Sequence, residues 1–105
     1  MADALARRGH WTPADLRLLT KHYLALLALT APGNSVEVRV PPYAAAQVVA
    51  GVRHTRGTPP AVVETDAETW IDLATGRLDW SAALSDGRVR ASGERTDLSP
   101  HLPLI

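Results

Sequence analysis

The chain has 105 residues, which limits it to one domain with a single core burying roughly two-thirds of the unfolded surface. Its 11 basic and 11 acidic residues cancel, so no long-range field draws it to nucleic acid or an anionic membrane, and a lipid role must rest on apolar contact. With no cysteine there is no disulfide framework and no thiol nucleophile, which is compatible with a reducing cytoplasm, where we place the chain.

Met1 to Trp11 shows no clear period and reads as a flexible lead-in over residues 1–11. Thr12-Pro13-Ala14-Asp15 then opens a helix: Thr12 is the N-cap, Pro13 takes the first helical position, and Asp15 suits the positive end of the helix dipole. The helix is expected over residues 13–30. Leu16, Leu19, Tyr23, Leu26 and Leu27 recur at helical spacing on one face. Leu18, Leu24 and Leu29 widen that stripe, which reads as a deeply buried helix or as a wall shared with a ligand cavity or a dimer contact. The apolar run from Tyr23 to Ala31 is far shorter than the roughly 20 residues a membrane span needs. It resembles a signal peptide in composition, but more than twenty residues precede it, including Asp3 and Asp15.

Ser35 to Val40 alternates, with Val36, Val38 and Val40 on one side and Glu37 and Arg39 on the other, the pattern of a half-buried strand. Pro41 and Pro42 break it. Tyr43 to Val52 carries both helix formers (Ala44 to Ala46) and strand formers (Val48, Val49, Val52), and we assign a strand because the chain turning back at Pro41-Pro42 needs a pairing partner.

Arg53 to Pro60, RHTRGTPP, is a loop by its Gly57 and its proline pair. Its donors, Arg53, His54 and Arg56 above all, suit a carboxylate or phosphate; alternatively the two arginines pair with the domain's own acids, such as Glu64, Asp66, Glu94 or Asp97.

From Ala61 onward the chain reads strand, helix, short helix, strand. Thr65 and Glu68 form a capping-box pattern, Ala67, Trp70, Ile71 and Ala74 share a helix face, and Asp79 caps a second, shorter helix in which Trp80, Ala83 and Leu84 point the same way. Gly76 and Gly87 act as stops. Arg88 to Gly93 alternates again, with Val89 and Ala91 inward. In the tail, Pro100 and Pro103 forbid a regular helix, while Leu98, Leu102, Leu104 and Ile105 favour packing back on the domain.

No serine lies in a nucleophile-elbow pattern, and His10, His22, His54 and His101 lack metal-ligand spacing, so neither catalytic nor metal-binding residues are expected, and no cofactor. His54 is the best acid–base candidate, its arginine neighbours favouring the neutral form.

The run from Trp70 to Gly93, with Leu73-Ala74-Thr75-Gly76-Arg77-Leu78, Trp80, Ala83-Leu84, Gly87-Arg88-Val89 and Ser92-Gly93, resembles the sterol carrier protein superfamily. With the RHTRGTPP loop, Val62 to Thr65 and Glu94 to Ser99, the chain from about Val36 is similar to the short stand-alone branch found in actinobacteria. The resemblance implies an α/β (α+β) domain, a mostly antiparallel five-stranded sheet with helices on one face. It also implies a cavity between the layers that holds sterols, fatty acids or fatty acyl-CoA. Carried onto this chain, Trp70, Leu73, Trp80, Leu84 and Val89 become apolar walls. Leu19, Tyr23 and Leu26 join them from the first helix, with Arg53, His54 and Arg56 as polar anchor. The expected function is non-catalytic binding of an apolar or amphipathic small molecule. The alternative is an accessory module with a filled core and a protein partner or a second copy, as similar domains form one end of the thiol-dependent maleylpyruvate isomerases.

Overall fold

The computed structural model describes residues 2–51, 61–93 and 96–105. It is an α+β fold, a mixed sheet with helices packed against one face. The strands are β1 (Val36–Val40), β2 (Ala44–Val48), β3 (Ala61–Thr65) and β4 (Val89–Ser92); the helices are α1 (Ala2–Ala6), α2 (Pro13–Thr30), α3 (Ala67–Ala74) and α4 (Trp80–Ser85). Among the described residues the sheet has four strands in the order β2-β1-β3-β4. β1 runs antiparallel to β2 and parallel to β3, and β3 runs antiparallel to β4.

The alternation in β1 sets the faces. Val36, Val38 and Val40 are wholly buried, and their partners Val48, Ala46 and Ala44 on β2 and Ala61 and Val63 on β3 lie on the same side. The other side carries the ion pairs Glu37–Arg39 and Glu64–Arg90 and faces solvent. α2 lies over β2 and against α3. It contributes Leu19, Tyr23, Leu24 and Leu27, while α3 contributes Trp70, Ile71, Leu73 and Ala74 to the same core. The Trp70 indole N–H donates to the Thr20 carbonyl at 3.3 Å, tying the two helices. The wide leucine stripe of α2 is divided: Leu24 is buried, but Leu18 and Leu29 face solvent, Leu29 at 80% exposure, so the helix is not buried all round.

Three local expectations are corrected. Residues 1–11 are not a loose lead-in. Residues 2–11 form α1 and a turn, held by two-pronged pairs from Arg7 to Asp15 (3.0 and 2.6 Å) and from Arg8 to Asp72 (3.0 and 2.7 Å), and by the Trp11 indole N–H on the Ala4 carbonyl. The N-cap of α3 is Asp66, which accepts from the Thr69 N–H at 3.1 Å; Thr65 ends β3 and donates its hydroxyl to the Arg88 carbonyl at 2.8 Å. The tail does return to the domain, with Leu98 wholly buried and the Leu104 N–H on the Ala74 carbonyl, but Ile105 is exposed.

The α2–β1 turn crosses the end of β2 at very close range. Ser35 N–H donates to the Val49 carbonyl and Val49 N–H to the Ala31 carbonyl, at 3.0 and 2.7 Å. Gly33 has φ +147°, and a Cβ there would lie 2.3 Å from the Val49 carbonyl carbon. Gly33→Ala must therefore move backbone, and is expected to destabilise by about 2–3 kcal/mol in urea unfolding.

At the start of α2, Thr12 and Asp15 form a capping box, and Asp15 also receives Arg7. The hydrogen bond from Arg7, reinforced by the Thr12 N–H, lowers the Asp15 carboxyl from 3.8 to about 2. A depressed carboxyl stabilises the fold above its unfolded pKa and loses that contribution as pH falls through the folded value. Thermal melts should thus lose stability between about pH 4 and pH 2, and Asp15→Asn should flatten that part of the profile.

Candidate functional site

The helix layer is complete over β1 and β3 but stops short over β4. α4 has only 6 residues and lies beside β4. By register, Val89 pairs with Thr65 and Ala91 with Val63, so both β4 residues are on the helix-facing side. Val89 is buried. Ala91 is exposed. Over Ala91 lies a cleft of about 420 Å³, walled by Asp79, by Trp80, Ser81 and Leu84 of α4, and by Thr96, Asp97 and Ser99 of the C-terminal segment. A smaller cleft of about 160 Å³, bounded by Leu73, Leu78, Leu102 and Pro103, shares Asp79, Trp80 and Ser99 with it. Trp80 is the wall between the two.

The walls are apolar at the floor and acidic at the rim. Leu84 is 40% exposed, whereas Trp80 is only 6% exposed. Trp11 and Trp70 each donate their indole N–H to a carbonyl, but that of Trp80 has no partner among the described residues. Asp79 stands at the N-cap position of α4 without capping its backbone, and accepts instead from the Ser81 hydroxyl at 2.5 Å. Asp97 accepts from the Ser99 N–H at 2.9 Å, and the Ser99 hydroxyl and N–H hold its carboxyl below its usual range. The described lining residues include no Lys, Arg or His. Arg88, just before β4, lies near Asp86, and Arg90 of β4 lies near Glu64, both at 3.6 Å. Among the described residues no group of three or more His, Asp or Glu side chains is placed to hold a metal ion.

Of the residues expected as apolar walls, Leu73, Trp80 and Leu84 meet around these two clefts. Leu19, Tyr23, Trp70 and Val89 belong to the packed core and line neither cleft, and Leu26 is half-buried at the margin of that core. The anchor residues Arg53, His54 and Arg56 lie outside the described residues. Sequence reasoning missed Asp79, Ser81, Thr96, Asp97 and Ser99 as cleft residues. The Asp-x-Ser spacing at Asp79 and again at Asp97 was the available signal, since each aspartate binds the serine two residues on.

A family model described as bacterial SCP ortholog matches residues 13–104. The chain belongs to that family. The matched span of this bacterial SCP ortholog starts at the first residue of α2 and takes in all four described strands, α3, α4 and every cleft residue named above; α1 falls before it. No curated protein matches the sequence. No described helix of this family member is long and apolar enough to cross a membrane.

Core and cleft leucines should separate in unfolding experiments. Leu73→Ala empties a fully packed position and is expected to cost about 2–5 kcal/mol. Leu84→Ala, at the exposed cleft wall, should cost less than about 1 kcal/mol in the same urea titration.

Proposed function

We propose that this bacterial SCP ortholog is a non-catalytic binding protein for an apolar or amphipathic small molecule, taken into the cleft between α4, β4 and the C-terminal segment. One observation carries the reading: Ala91 faces the helix layer by register and is nevertheless exposed, so the sheet offers an uncovered floor beneath apolar walls. The volume of about 420 Å³ lies within the roughly 300–1,000 Å³ usual for small-molecule sites. Leu84 and Trp80 supply the apolar and aromatic contact such sites use, and the serines and aspartates at the rim supply the few polar groups that orient a ligand. Leu19, Trp70, Trp80 and Val89 all sit in one packed core, which is why the reading places the ligand at the margin of the two layers, next to Trp80, rather than between these four.

The test is to fill the floor. Ala91→Phe puts a ring into the cleft at a position that is not part of the core. Wild-type protein is expected to bind the neutral probe N-phenyl-1-naphthylamine in a fluorescence titration. The variant should weaken binding at least about tenfold, a loss of about 1.4 kcal/mol, with an unchanged melting temperature. Equal binding by both proteins, or no binding by wild type, overturns the proposal.

A further inference from the structure

We propose that Trp80 sets the length of ligand this cleft accepts: single-chain amphiphiles whose tail ends at the Trp80 side chain fit, and longer tails gain nothing further. The inference rests on the cleft reading above and adds the size limit of the ligand. Among the described lining residues the two clefts have Asp79, Trp80 and Ser99 in common. Asp79 and Ser99 are exposed, whereas Trp80 is 6% exposed and belongs to the packed core. Of the three, Trp80 alone is both large and inside, so its side chain is the partition.

Apolar surface lies on both sides of that partition. Leu84 and Ala91 line the larger cleft, and Leu73, Leu78, Leu102 and Pro103 line the smaller. At about 160 Å³ the smaller cleft falls short of the roughly 300 Å³ at which small-molecule sites begin, so it suits an extension of the larger cleft better than a site of its own. An alkyl tail gains about fourfold in affinity for each carbon it buries, as long as apolar surface remains to be covered. At Trp80 that gain stops. A core side chain is held by neighbours packed as densely as an organic crystal, and moving it aside leaves a void behind.

The experiment displaces N-phenyl-1-naphthylamine with neutral 1-alkanols from butanol to dodecanol, each below its solubility limit, so that charge plays no part. In wild type the affinity is expected to rise about fourfold per carbon and to level off at or before decanol. In Trp80→Leu the rise should continue through dodecanol, and adding Leu78→Trp, which fills the smaller cleft, should restore the wild-type limit. Trp80→Phe, a smaller cut into the core, should shift the limit in the same direction, and it decides the matter if the leucine variant is unfolded at the assay temperature. A wild-type rise that runs on past decanol overturns the inference and leaves the cleft reading intact. So does a limit that is the same in wild type and the folded Trp80 variants, or a longer reach that survives Leu78→Trp. If no alkanol displaces the probe from wild type, the cleft reading itself fails.

Discussion

Val36, Val38 and Val40 are completely removed from water, and the sheet can keep them so only while helices cover that single face. Each such valine contributes on the order of 1.5 kcal/mol or more by burial, so the central strand β1 fixes where everything else must go. α2 lies across this layer and must then re-enter the sheet beside its own edge strand, which is why the turn containing Gly33 passes within contact of Val49. α3 closes the layer against α2, and its Trp70 takes the carbonyl of Thr20. The Thr20 hydroxyl, by contrast, is buried without a partner among the described residues, a cost that the surrounding apolar contact offsets.

Much of this was legible in the residues. The strict alternation of β1 named its inner face, and the Thr12-Pro13-Ala14-Asp15 opening of α2 placed a helix start that the capping box matches. The double proline gave the corner between β1 and β2. Local pattern misled where two neighbours could do the same job. Thr65 and Asp66 are both good caps, and only the position of β4, which presents the Arg88 carbonyl to Thr65, decides between them. The order in α1 was invisible because it depends on Arg8 meeting Asp72, 64 residues away.

The candidate site was legible in part for the same reason. Alternation correctly put Val89 and Ala91 on one face, yet whether a face is covered depends on the length and placement of a different element. Ala91 stays exposed beside α4, and the cleft lies over it. Leu73, Trp80 and Leu84 could be named from helical spacing, but the acidic rim required knowing that the C-terminal segment folds back to stand opposite α4. The net charge of zero does not show how the charges are distributed: Arg88 and Arg90 lie near Asp86 and Glu64, and Asp79 and Asp97 line the cleft. Family membership accounts for the fold, but one fold carries many functions, so membership by itself names no ligand.

The three tryptophans occupy three different surroundings. Trp11 reports on the docking of α1, Trp70 on the contact of α2 with α3, and Trp80 on the cleft. Their surroundings run from half-exposed, through fully dry, to nearly dry, so distinct emission from each is expected. The chain thereby carries built-in optical probes, one for each level of its organisation.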